Sequence, residues 1–180
     1  VLKPILPINE SDILESLEKL EIISKRINSN NLSMSNPSIQ ISEWLDNFPI
    51  IYFPFGLQSA AIRFKNAIQE NGKTHAMIED IIESSHNGIV GWNRKSSFQP
   101  ILLQGKDDVK TTKERWTILK EFFKSKNIEY KEIISEDGNI LTKIICLIYV
   151  LDYSSIFLAI KLKVDPSPVV AIDFIKERLN

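Results

Sequence analysis

The run Pro49-Ile50-Ile51-Tyr52-Phe53, closed by Pro54-Phe55-Gly56, constrains the fold more than any other stretch of the chain. A short, uninterrupted apolar run fits a strand buried on both faces; a half-exposed strand would alternate apolar and polar residues. After the turn, Leu57, Ala60, Ala61, Phe64, Ala67 and Ile68 share one helical face. Asn71-Gly72 closes that helix, with Gly72 expected in the left-handed cap position. Strand, glycine turn and helix together open a βα unit, whose next strand runs parallel to the first.

The pattern recurs downstream. His75 to Ile81 reads as a short strand, and Pro100 to Leu103 as another. Asp108 to Lys126 is helical, with Trp116, Leu119, Phe122 and Phe123 on its apolar side. Ile128 to Ile134 reads as a strand, Asn139 to Leu162 as a long central helix, and a last helix starts near Pro168. Upstream, Ile13, Leu17, Leu20 and Ile27 repeat at helical spacing over Asn9 to Ile27, with Ser11-Asp12 as the N-cap. A second helix covers about residues 38–47, after a loop rich in Asn and Ser. The expected fold class is α/β: a doubly wound parallel sheet flanked by helices. The expected division is a helical lead-in over 1–48, punctuated by proline at its start, and one domain over 49–180.

Composition narrows the function classes. Of 180 residues, 43% are hydrophobic and 25% charged, which suits a globular chain with a full core. A net charge of −1 gives no electrostatic case for nucleic acid or an anionic membrane. Cys146 is the only cysteine and sits in an apolar run, so a buried thiol and a reducing, cytoplasmic setting are expected. The longest apolar run, Ile144 to Leu151, stops at Asp152, so no membrane span is expected. Val1-Leu2-Lys3-Pro4 puts proline where the apolar core of a signal peptide would lie, and the absence of an initial Met reads as a processed chain or an excised domain.

Glu70 and His86 are the candidate chemical groups. Glu70 closes the amphipathic helix in Gln69-Glu70-Asn71-Gly72-Lys73, and His86 follows in Ser85-His86-Asn87-Gly88-Ile89-Val90-Gly91-Trp92. Alone, each has an ordinary explanation: a solvated glutamate at a helix end and a surface loop histidine. Yet Glu70 faces the negative end of the helix dipole, where negative charge is disfavoured. The His86 loop is also backed by apolar Ile89 to Trp92. A carboxylate base beside a near-neutral proton carrier is what proton abstraction next to a carbonyl requires. Lys176 by itself reads as part of a charged helix face, and Ser167 as a turn or cap residue. The chain has no phosphate-loop or dinucleotide glycine motif. With two histidines and one cysteine, no dedicated metal site and no cofactor are expected.

At these words the chain resembles the bifunctional phosphoglucose/phosphomannose isomerases, specifically their C-terminal half. That family reads N-E-N-[AS]-K, then roughly P-E-x-N-H-N-E-I-V-G-W. Here these are Gln69 to Lys73 and Glu83 to Trp92. The closing word D-P-[TS]-P-V-x-x-I-D-x-[LI]-K matches Asp165-Pro166-Ser167-Pro168-Val169 through Lys176, and Leu147 to Tyr153 matches L-I-Y-L-x-D-Y. One departure is Gly88, where the family carries glutamate; another is Thr74-His75 in place of a proline.

The resemblance implies a sugar isomerase (SIS) fold. It also implies metal-free interconversion of glucose 6-phosphate or mannose 6-phosphate with fructose 6-phosphate through a cis-enediol. Glu70 would be the base, His86 would assist ring opening from a neighbouring subunit of a homodimer, Lys176 would assist ring opening or polarise the sugar oxygen, and Ser167 would line the pocket. The phosphate grip is expected in a second domain outside this chain. The alternative is a non-catalytic SIS domain that binds sugar phosphate in a regulatory or dimerising role. If both candidate groups serve one site, Glu70 and Lys176 are expected at the carboxyl ends of the strands, where open α/β sheets bind ligands.

Overall fold

A computed structural model of the chain describes residues 8–179. The proline-punctuated start of the lead-in, residues 1–7, lies outside them. Four parallel strands form one sheet: β1 (Phe48–Phe53), β2 (Met77–Asp80), β3 (Phe98–Gln104) and β4 (Lys131–Ile134), in the order β2-β1-β3-β4. The helices among the described residues are α1 (Glu10–Ile27), α2 (Pro37–Trp44), α3 (Gln58–Asn71), α4 (Ile81–Ser84), α5 (Lys110–Ser125), α6 (Ile140–Leu162) and α7 (Val170–Lys176). A 3-10 segment, Gly88–Asn93, precedes β3. This is the doubly wound α/β architecture expected from the sequence.

Alternate residues of the central strands explain why their runs are apolar throughout. Ile51, Phe53, Ile101, Leu103 and Ile133 face one side, against Leu45, Phe64, Ile68, Leu147, Leu151 and Leu158 of α2, α3 and α6 with their flanking loops. Ile50, Tyr52 and Leu102 face the other, against Trp92 and against Trp116, Leu119 and Phe123 of α5. Burying side chains of this size contributes about 1.5–3 kcal/mol each relative to leaving them exposed. Beyond α6, α1 adds an outer layer through Ile23 and Ile27, which pack with Cys146.

Several local expectations are revised. The N-cap of α1 is Asn9, whose N–H donates to the Asp12 carboxylate at 2.8 Å, so Asp12 acts from inside the first turn. Gly72 is not left-handed: its φ is −79°, and Lys73 takes the positive φ of 52° instead. Glycine is needed at 72 for space, because a Cβ would lie 2.9 Å from the Ile68 carbonyl oxygen and 3.3 Å from Leu158. The last helix begins at Val170, two residues beyond Pro168.

By length and apolar composition α6 is long enough to cross a membrane, contrary to the expectation drawn from the run ending at Asp152. One charge interrupts the run without lowering the mean hydropathy of the whole helix enough. In the fold α6 lies against α1, α2 and α3, and Asp152 is held by the guanidinium of Arg63 on α3 at 2.9 Å. Its apolarity is therefore that of a central core helix.

Candidate active site

Glu70 is the penultimate residue of α3 and its side chain is exposed. Helix α3 returns antiparallel to the strands it connects, so its C-terminus lies at the amino edge of the sheet, beside the start of β2. The expected location at the carboxyl edge is therefore wrong for Glu70. The reason is topological: only residues following a strand directly reach that edge. A shallow cleft does open at the carboxyl edge between β1 and β3, lined by Phe55, Asp107, Asp108, Ile140 and Lys143. Neither Glu70 nor Lys176 lines it.

The end of α3 is fixed in place by polar contacts. Asn71 donates from Nδ2 to Ser155 Oγ on α6 at 2.8 Å. The Lys73 ammonium donates to the carbonyl oxygens of Glu70, Pro166 and Pro168 at 2.7, 3.1 and 2.6 Å. One side chain thus joins the Glu70 end of α3 to the Asp165–Pro168 turn that carries Ser167. Within that turn the Ser167 N–H donates to Asp165 Oδ1 at 2.9 Å. The hydrogen bonds from Ser167, aided by the Lys73 charge, hold the Asp165 carboxyl below the usual range. Glu70, Lys73, Asp165 and Ser167 therefore gather at one place. Lys176 ends α7, a helix exposed along its whole length, and its ammonium makes no ion pair among the described residues.

His86 is built into a different part of the molecule. Its N–H donates to the Glu83 carbonyl oxygen at 3.0 Å, just beyond α4, and its ring is exposed. Asn87 is tied to Glu83 Oε1 at 2.6 Å. The loop is anchored by buried Trp92, whose Nε1 donates to Tyr52 Oη at 2.8 Å. Burial, partly offset by that bond, pushes the Tyr52 phenol up to about 12. This anchor lies on the sheet face covered by α5, whereas α3 covers the other. His86 also follows the carboxyl end of β2, whereas Glu70 precedes its amino end. Within one chain the two occupy opposite faces and opposite edges of the sheet.

Two participants escaped sequence reasoning. Lys73 is legible only as a basic residue near Glu70, because two of its three carbonyl partners lie more than 90 residues away. Glu79, beneath the His86 loop, is flagged in the sequence only by the glycine at position 88. Among the described residues no group of three or more His, Cys, Asp or Glu side chains could hold a metal ion.

Comparison with known proteins matches this architecture. The family model for the bacterial phospho-glucose isomerase C-terminal SIS domain matches residues 34–179. The bifunctional phosphoglucose/phosphomannose isomerase of Caldicellulosiruptor bescii is 33% identical over 139 residues, covering 74% of this chain and 41% of that protein. The enzyme of the same name from Aquifex aeolicus is 26% identical over 167 residues, covering 91% of this chain and 52% of the relative. The chain thus spans about half the length of the curated relatives it matches. In fold it is similar to a glucose-6-phosphate isomerase like protein from Thermus thermophilus, with a TM-score of 0.73 at 17% identity, over 93% of this chain and 56% of that one. A match that extends from the loop before α2 through α7 assigns the sheet, the Glu70 end of α3 and the His86 loop together: the chain belongs to the bacterial phospho-glucose isomerase C-terminal SIS domain family, among the sugar-phosphate isomerases.

Proposed function

We propose that this chain is the base-carrying SIS domain of an aldose–ketose isomerase interconverting glucose 6-phosphate or mannose 6-phosphate with fructose 6-phosphate. The observation that carries the reading is the fixed end of α3, where Glu70, Lys73 and the Asp165–Pro168 turn converge, in a family whose relatives are named as these isomerases.

In the open-chain aldose, the carbonyl at C1 acidifies the proton on C2. Glu70 takes that proton, and the electron pair of the C–H bond forms the C1–C2 double bond of a cis-enediol while a proton reaches O1. Glu70 then returns the proton to C1, the O2 proton leaves and the C2 ketone forms. Lys176 stabilises charge on the sugar oxygens, and Ser167 lines the pocket. His86 moves the proton needed to open the ring. Because His86 and Glu70 of one chain lie on opposite faces and edges of the sheet, the reading pairs His86 with Glu70 of a second copy in a homodimer. No metal or cofactor takes part, the enzyme is cytoplasmic, and the phosphate is gripped mainly by a further domain.

The test uses the full-length enzyme. Glu70→Gln keeps the shape and hydrogen bonds but cannot accept the proton, so turnover should fall by about 10²–10⁴-fold while sugar-phosphate binding survives. Exchange of solvent deuterium at C1 or C2 measures the step directly. Exchange near the wild-type rate would remove Glu70 as the base. Binding without turnover in the unaltered enzyme would favour a regulatory sugar-phosphate-binding domain.

A further inference from the structure

Glu79 is the penultimate residue of β2, beside Asp80, on the face of the sheet that carries the His86 loop. It is the register partner of Tyr52, whose hydroxyl accepts the hydrogen bond from Trp92. Glu79 is half-buried, and its Oε2 is the one buried side-chain oxygen among the described residues without a hydrogen-bond partner. Gly88 lies directly over it. A Cβ at position 88 would overlap Oε2 and stand 2.9 Å from both Oε1 and Cδ. Gly88 has no positive φ, so its backbone does not demand glycine. The Glu79 carboxylate occupies that space instead, and it would have to move aside to admit a side chain at 88.

We propose that Glu79 is a positioning residue for the His86 loop, its carboxylate supporting Gly88 from the strand below. The catalytic part of this inference rests on the role given to His86 above. Asn87 and the Ser85–His86 turn are held from the α4 side by Glu83, and Trp92 fixes the far end of the loop to Tyr52. Between those two ties Gly88 rests on the Glu79 carboxylate.

A reciprocal substitution tests this. Gly88→Glu alone places two carboxylates in one space and should lower the melting temperature by about 3 °C. In the Glu79→Ala background the same substitution should cost little, because the new carboxylate takes the vacated place. An equal loss in both backgrounds would overturn the proposal. In the full-length enzyme, Glu79→Ala should reduce turnover of the cyclic sugar phosphate more than that of the open-chain form, and Glu79→Ala/Gly88→Glu should restore the cyclic rate. Unchanged cyclic turnover in Glu79→Ala, or no recovery in the double variant, would overturn the positioning role. Unchanged turnover in His86→Ala would instead overturn the ring-opening reading, and with it the catalytic half of this one, while the melting cycle still decides whether the two positions share one space.

Discussion

The ammonium of Lys73 donates to the carbonyl oxygen of Pro168 at 2.6 Å, across 95 residues of sequence. The same group also bonds the Glu70 and Pro166 carbonyl oxygens, so it ties the end of α3 to the segment that launches α7. Lys73 accepts a left-handed backbone, φ 52°, to make that reach. Such a conformation is uncommon outside glycine.

Lys73→Met should release the Asp165–Pro168 turn. Hydrogen bonds to a charged group contribute about 1.5–3 kcal/mol when sheltered, and less at an exposed side chain such as this one. A melting decrease of about 3 °C is expected. Amide hydrogen exchange in residues 165–176 should accelerate while β1 and β3 stay protected. Unchanged exchange there would show that the turn holds without the lysine.

Gly72→Ala should cost about 1–3 kcal/mol through overpacking, because its Cβ meets the Ile68 carbonyl oxygen and Leu158 rather than a backbone barrier. Denaturant unfolding reads the loss directly. If the loss arises at the α3–α6 contact, Leu158→Ala should recover part of it in the double variant. A strictly additive pair would place the strain elsewhere.

Much of this was written in the chain. The run Ile50 to Phe53 declares a two-sided buried strand because odd and even residues meet separate cores, and the recurring α and β segments then fix a parallel sheet. The Gly72–Lys73 exchange was not legible, since a cap rule knows only local backbone whereas Leu158 sets the space. The 3-10 segment at Gly88–Asn93 was hidden for a similar reason: it is organised by the bond from Trp92 to Tyr52, formed 40 residues apart. Glu70, His86, Lys176 and Ser167 were named through motif resemblance, and their residue types alone would not have separated them from surface groups. The edge on which Glu70 lies follows from the direction of a returning helix and was available from the βα pattern.

Glu79→Gln should reveal a pH-dependent stability difference. Burial raises the Glu79 carboxyl above its ordinary value of 4.5. The folded state therefore holds its proton more tightly than the unfolded state does. Stability falls as pH rises from the unfolded value through the folded one, and the full penalty remains above that window. The neutral amide has no such penalty. The variant should gain stability relative to the wild type near pH 7 and lose that advantage below about pH 4. Parallel melting curves against pH would refute the assignment.

Cys146 should resist thiol reagents in the native protein. Its side chain is 1% exposed, and burial pushes the thiol from 9.0 up to about 11. At pH 8 the thiolate fraction falls about a hundredfold from that shift alone. Labelling by an aromatic disulfide should follow unfolding, with full reactivity in denaturant. Fast labelling of folded protein would mean that α1 opens readily from α6.

The strand order has a consequence for how the molecule assembles as it is synthesised. β1 is central, yet only β2 lies close behind it in sequence, and its other neighbour, β3, starts at Phe98. A growing chain can close the β1–α3–β2 unit early, but one hydrogen-bonding edge of β1 then remains bare until β3 is available. Bare edges of apolar strands invite pairing with other chains. The vulnerable interval in the life of this domain is therefore set by the synthesis of the α4 and His86 segment, before that segment has acquired any of its contacts with the completed sheet.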